Sequence, residues 1–330
     1  MSLRIPVTEI VMPLLHIYDY IAVEMEEVRE LFDSELYSQE PLVADLLEHI
    51  GKFRGKMVRP MLVLLCGKAC GEISRDHHVV AVVIEMVHMA SLVHDDVLDE
   101  ADQRRRGQTI NSLQGNEAAV MLGDLLFCHA FHLCSSLPSQ QSSRLIAATT
   151  SSVCEGELMQ LFYRGYYDIT EKKYLDIIAR KTADLFATSC YLGAQVGGAE
   201  ESICQSLEEY GRNVGIAFQI MDDVTDIVGD EKVIGKTLGG DFAKEKITLP
   251  SIHYLSHCDP EEKKQMLELL FCRNDQRNEQ YLQLLRQAGS IQYARDRAGQ
   301  FITEAKKQLP ENIDGKLRQA LIELASFVIA

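Results

Sequence analysis

Val79-Val-Ala-Val-Val-Ile-Glu-Met-Val-His-Met-Ala-Ser-Leu-Val-His94-Asp95-Asp96-Val97-Leu98-Asp99-Glu100 is an apolar run that ends in acid. A second run, Gly215-Ile-Ala-Phe-Gln-Ile-Met-Asp222-Asp223-Val224-Thr225-Asp226, does the same, with its first aspartate 127 residues after Asp95. Runs of this length without strict alternation read as buried helices. On a helix the outer aspartates of each copy, at i and i+4, leave from one face. Carboxylates held so close repel one another unless positive charge sits between them. Paired carboxylates with open positions suit Mg²⁺, which shares its shell between protein, water and substrate phosphates.

The rest of the chain narrows the setting. Its 330 residues are enough to bury a sizeable core, and 46% of them are hydrophobic, which reads as globular rather than disordered. Lys+Arg 33 against Asp+Glu 49 gives a net charge of −16. That argues against nucleic acid as a partner, because binding it needs a basic footprint. An anionic substrate remains compatible through local clusters such as Arg104-Arg105-Arg106. The nine cysteines are scattered, without a Cys-x-x-Cys, and read as reduced core thiols of a cytoplasmic protein. Charges soon after Met1 and the lack of an unbroken apolar stretch there read as no signal peptide. Val79–Val93 contains Glu85 and His88 and reads as a buried helix, with no transmembrane segment expected.

Prolines are absent between Pro60 and Pro138 and between Pro138 and Pro250. Those gaps carry helical spacing and almost no strand alternation. The spacing predicts helices over 7–34, 41–50, 57–70, 76–100, 116–135, 140–163, 171–196, 201–228, 249–256, 260–271, 277–305 and 314–328. No linker is long enough to divide the chain. The expectation is one all-α domain over 1–330, a helical bundle whose two acidic helices face each other across a central cavity.

The segment from His88 to Arg106 resembles the first aspartate-rich region of the trans-isoprenyl diphosphate synthases, and Phe218–Asp226 resembles the second. Gly55-Lys56-Met-Val-Arg59-Pro60, Lys181-Thr182 and Gly235-Lys236 through Lys246-Ile-Thr-Leu-Pro250 are similar to further blocks of that family, in order, so that the resemblance runs from about residue 45 to 250. It implies the isoprenoid-synthase fold, a homodimer, and Mg²⁺ as cofactor, three ions with substrate bound. Asp95, Asp99 and Asp222 are then the metal-ligand candidates, with Asp96, Asp223 and Asp226 as direct or water-mediated helpers. The resemblance assigns Arg104, Lys181, Thr182, Gln219, Lys236 and Lys246 to an allylic prenyl diphosphate. It assigns Gly55, Lys56, Arg59, His88 and Arg105 to isopentenyl diphosphate. The implied reaction is ionisation of the allylic diphosphate, attack by the double bond of isopentenyl diphosphate, and loss of a proton to the departing diphosphate. No protein nucleophile is needed.

The sequence departs from the family where Arg106 and Gln108 replace the usual Gly and Pro, and where Glu245 stands in place of a common Gly. Ala90 and Ser91 lie five and four residues before Asp95, one turn deeper on the same helix. Such small residues leave a tunnel open where large aromatics would close it. The expected product is a medium- or long-chain polyprenyl diphosphate, six or more isoprene units, with Val87, Ile84, Phe127 or Phe131 as the floor. Phe127, Phe131, Phe162, Tyr163, Tyr166 and Tyr167 read as core aromatics, and His77-His78 as surface. Alternatives are a short-chain (fifteen- or twenty-carbon) synthase, a terpene cyclase, a metal phosphohydrolase built on His94-Asp95, and a regulatory subunit that binds without turnover. The regulatory reading expects lost aspartates, and all six are kept.

Overall fold

The computed structural model describes residues 16–52, 55–104, 107–229, 244–271 and 277–329. Arg105, Lys236 and the Gly235–Asp241 part of the closing block lie outside them. The helices are α1 (Ala22–Glu35), α2 (Pro41–Gly51), α3 (Val58–Cys70), α4 (Arg75–Leu98), α5 (Ile110–Gln114), α6 (Asn116–Cys134), α7 (Gln140–Phe162) and α8 (Glu171–Ile178). A π turn, Ala179–Ala183, joins α8 to α9 (Asp184–Val196). Then follow α10 (Glu201–Val228), α11 (Leu249–His257), α12 (Pro260–Phe271), α13 (Arg277–Gln287), α14 (Ser290–Gln308) and α15 (Gly315–Phe327). The described β-structure is a two-residue ribbon, β1 (Gln103–Arg104) against β2 (Gly107–Gln108).

The bundle is organised around α9, buried on every side from Leu185 to Ala194 and packed against α3, α4, α7 and α10. A helix apolar all round belongs in such a place. In α10 the buried positions Cys204, Leu207, Tyr210, Gly211, Val214 and Ala217 recur every three or four residues, so one face enters the core and the other stays polar. Buried apolar residues from Ile17 to Ala325 form one continuous cluster.

Among the described residues, α4 and α6 are long and apolar enough to cross a membrane, by length and composition alone. The apolar window of α4 is 72% buried, as a core helix requires, whereas that of α6 is only 33% buried.

Some expectations are corrected. The stretch predicted as one helix over 277–305 is broken at Gly289, whose φ of 68° is a left-handed turn open to glycine. His77 is not on the surface: it is 0% exposed and sits at the start of α4. Its Nδ1 accepts the Ser74 N–H at 3.0 Å and its Nε2 donates to the Gly193 carbonyl at 3.2 Å. The aromatic group divides: Phe127, Tyr163 and Tyr167 are partly buried against the core, whereas Phe131, Phe162 and Tyr166 are exposed.

Candidate active site

Asp95 and Asp96 lie in the last turn of α4 and Asp99 caps its end, and helix geometry parts them. Asp95 and Asp99 share a face, while Asp96 is turned about 100° away. Asp96 is buried and takes Arg104, with Nη2–Oδ1 at 2.7 Å and Nε–Oδ1 at 2.9 Å. Burial pushes the Asp96 carboxyl above its ordinary value, and Arg104 offsets only part of that. The ribbon β1–β2 is what folds Arg104 back onto α4.

Lys181 and Thr182 project from the π turn between α8 and α9. A π turn inserts one residue into the helical register, and such bulges cluster at functional sites. Gly156 of α7 makes room for it: a Cβ there would stand 2.5 Å from the Lys181 amide nitrogen. The Lys181 ammonium meets Glu157, lies 2.7 Å from Gln160 Oε1 and 3.5 Å from Asp95 Oδ2. Burial alone would lower its pKa, but Asp95 and Glu157 outweigh burial and hold it above the ordinary lysine value. Thr182 Oγ1 donates to Gln219 Oε1 at 2.7 Å, and Gln219 Nε2 donates to Asp223 Oδ1 at 2.8 Å. Tyr174 donates to the other oxygen of Asp223 at 2.6 Å. A continuous polar chain therefore runs from the first acidic motif through Lys181-Thr182 and Gln219 to the second. Asp223 and Asp226 are buried, while Asp222 is exposed.

Asp99 collects three cations. Lys246 lies 3.1 Å and Lys244 3.3 Å from Oδ2, and Arg164 Nη2 lies 2.9 Å from Oδ1. Burial would raise the Asp99 pKa, but Lys246, Lys244 and Lys181 together hold it below the ordinary carboxylate value.

A cleft is lined by Gly55, Glu85, His88, Asp96, Arg104 and Gln108. It unites Gly55 and His88 with Arg104, so Arg104 stands with the residues expected to hold isopentenyl diphosphate. Arg59 is buried with its guanidinium 4.6 Å from the centre of the Phe186 ring, and Lys56 Nζ lies 5.1 Å from that of Phe327. Ala90 is fully buried, and Ser91 Oγ donates to the His88 carbonyl one turn back at 2.8 Å. Val87 and Ile84 below them are buried, whereas the Phe127 ring lies 5.8 Å from that of His94, level with the acidic end. Phe127 is therefore too high to be a tunnel floor, and Phe131 is 40% exposed.

Glu157, Gln160, Arg164, Tyr174 and Lys244 were not singled out from the sequence. Gly156-Glu157 just upstream of Gln160 is a usable signal, since a glycine in mid-helix marks a close approach. Nothing local marks Arg164.

The polyprenyl synthetase family profile matches residues 40–288. The chain belongs to the polyprenyl synthetase family. It is 34% identical over 320 residues to the octaprenyl diphosphate synthase of Escherichia coli, covering 96% of this chain and 99% of that one. It is 32% identical over 286 residues to a short chain isoprenyl diphosphate synthase of Methanothermobacter thermautotrophicus, covering 86% and 88%. The fold superposes with a TM-score of 0.89, at 29% identity, on a polyprenyl synthase from Caulobacter crescentus complexed with calcium and isoprenyl diphosphate, covering 95% of this chain and 96% of that one. This polyprenyl synthetase is thus an enzyme of prenyl transfer, with the all-α fold of its relatives.

The donor set fits a hard divalent cation. Among the described residues no three or more acidic, His or Cys side chains converge to enclose an ion by themselves. Asp95 and Asp99, one helical turn apart on one face, can together offer the open carboxylate pair that Mg²⁺ uses when phosphates complete its shell.

Proposed function

We propose that this prenyltransferase condenses isopentenyl diphosphate with an allylic diphosphate and extends it to a medium- or long-chain polyprenyl diphosphate. One observation carries the reading: the polar chain that links Asp95 to Asp223 through Lys181, Thr182 and Gln219. It makes one preorganised surface of two carboxylate groups and their cations, which suits a departing polyanion. Lys181, Thr182, Gln219 and Lys246, with Lys236, hold the allylic diphosphate. Gly55, Lys56, Arg59 and His88, with Arg104 and Arg105, hold isopentenyl diphosphate. Mg²⁺ bound by Asp95, Asp99 and Asp222, three ions in the substrate complex, supplies the charge that stabilises the leaving diphosphate. The protein's part is to bind, orient and exclude water while the double bond attacks and the diphosphate accepts the proton. The bound calcium and isoprenyl diphosphate of the Caulobacter relative and the octaprenyl product named for the Escherichia coli relative support these assignments.

The same proposal takes 1–330 as one functional unit, dimeric through α6, in the cytoplasm. The free thiols of the eight described cysteines are the state expected in a reducing compartment. Turnover with radiolabelled isopentenyl diphosphate, an allylic primer and Mg²⁺ tests the reading. Asp95→Asn is expected to lower turnover by about three orders of magnitude by removing charge that holds the metal. The fold should persist, because losing one clustered carboxylate relieves repulsion. A near wild-type rate in this variant at saturating Mg²⁺ sinks the assignment.

A further inference from the structure

Arg164 follows α7 directly, outside every block that the sequence analysis quoted. Its Nη2 donates to Asp99 Oδ1 at 2.9 Å, on the opposite oxygen from Lys244 and Lys246. That single bond uses little of the guanidinium. Nη1 reaches only the Leu98 carbonyl at 3.5 Å, the outer edge of hydrogen bonding. Nε is buried with no hydrogen-bond partner among the described residues. A guanidinium has five donors in a fixed fork, and a buried donor left unpaired is costly. Arg164 therefore holds donors in reserve beside a carboxylate already attended by two lysines.

The backbone explains how it is held there. Gly165 turns with a φ of 70° and donates its N–H to the Glu245 carbonyl at 3.0 Å. A Cβ at Gly165 would meet Glu245 Oε2 at 3.1 Å. Glu245, between the two lysines, is itself left-handed at 57°. The Arg164-Gly165 turn and the Lys244–Lys246 segment are thus fastened together, and they close on Asp99 from two sides.

We infer that Arg164 is a further diphosphate-binding residue, one that leaves Asp99 for the phosphate oxygens of the allylic substrate when that substrate enters. Arg suits this exchange because its fork matches carboxylate and phosphate alike. The inference rests on the allylic-site reading above and sharpens it.

The test is calorimetric binding of inorganic diphosphate to the full chain, with Mg²⁺ and separately in EDTA, for wild type and Arg164→Gln. Losing a charge-assisted contact should weaken binding about tenfold in both conditions. KM for the allylic primer should rise by a similar factor and KM for isopentenyl diphosphate should stay within about twofold. Arg164→Lys keeps the ion pair with Asp99 and serves if the glutamine variant does not fold. It should show a smaller loss of the same sign, because lysine lacks the fork. Unchanged diphosphate affinity in a folded variant overturns the inference. So does a loss seen only with Mg²⁺, which means that the residue acts through Asp99. A wild-type protein that neither binds diphosphate nor elongates a primer overturns instead the reading on which this one rests.

Discussion

Gly156 is the residue on which the placement of Lys181 depends. A methyl group there would press on the Lys181 amide nitrogen at 2.5 Å and on its Cα at 2.9 Å, backbone atoms with no rotamer to yield. Gly156→Ala is expected to cost about 2 kcal/mol by overpacking and to push the π turn, and with it the Lys181 ammonium, away from Asp95. Thermal unfolding and primer KM should both worsen; a stable variant with unchanged KM contradicts this role. His77 makes a different demand. It is buried as a neutral imidazole, its Nδ1 occupied as an acceptor, and burial lowers its pKa below the ordinary 6.5. The unfolded chain then binds more protons than the native one, so stability rises with pH. The contribution is fully present above about pH 6.5 and is lost as the pH falls from there towards the lowered native value. Denaturant midpoints at pH 7.5 and 5.5 should differ more for wild type than for His77→Gln; equal differences would assign the effect elsewhere. That this histidine belongs to the core was not readable from His77-His78, because adjacent polar residues look alike until packing turns one of them inward. The aspartates were readable because their i, i+4 spacing is itself the chemistry.

At the scale of elements, the period of the apolar residues located α4, α9 and α10, since one-sided or complete burial writes itself into the sequence. The π turn at Ala179–Ala183 left no such trace. The pattern stays helical on both sides of it, and one inserted residue alters neither composition nor amphipathicity. The same holds for the left-handed residues Met57, Glu100 and Glu245. Each stands next to a functional block, where strain of this kind is commonly retained. Glu245 also explains why glycine is common at that position, because φ of 57° costs a side chain roughly 1 kcal/mol or more. The element with the clearest unmet need is α6. Its Met121 is 65% exposed beside the exposed Val120, and Phe131 is exposed about 15 Å further along the helix. A helix this apolar, only 33% buried over its apolar window, belongs in an interface. We expect a homodimer burying about 800 Å² or more per subunit. Light scattering should return twice the 37.1 kDa chain mass at micromolar concentration, and Met121→Glu should shift the population towards the single-chain mass. A wild-type protein that runs as one chain removes the interface.

The whole molecule sets how far a product can grow. In the proposed site the diphosphate end is held where α4 and α10 end in acid, and an elongating tail would then pass down between the helices towards the start of α4. The first turn it meets carries Ala90 and Ser91. Ala90 is fully buried, and the Ser91 hydroxyl is already bonded to its own helix, so neither projects bulk or an unpaired polar group into the path. One turn of helix is about 5 Å, comparable to one extended isoprene unit, so a stop at this level would end growth after one or two additions. Phe127 lies beside His94, above that turn, and does not obstruct what lies below. The barrier then falls to Val87 and Ile84, about one and two turns further down, and to whatever covers Phe131 from outside. If α6 pairs with its counterpart, the wall of the tunnel at Phe131 is completed by the second subunit, and product length becomes a property of the dimer. Ala90→Phe is expected to shift products to fifteen or twenty carbons while the first condensation keeps its rate, because the phenyl ring blocks the path below the reacting atoms without touching the carboxylates. Met121→Glu, by opening the outer wall, should broaden the distribution rather than shorten it. Chromatography of the dephosphorylated products decides between these outcomes. A wild-type product of fifteen or twenty carbons, or an Ala90→Phe product as long as wild type, means that the chain does not run past Ala90.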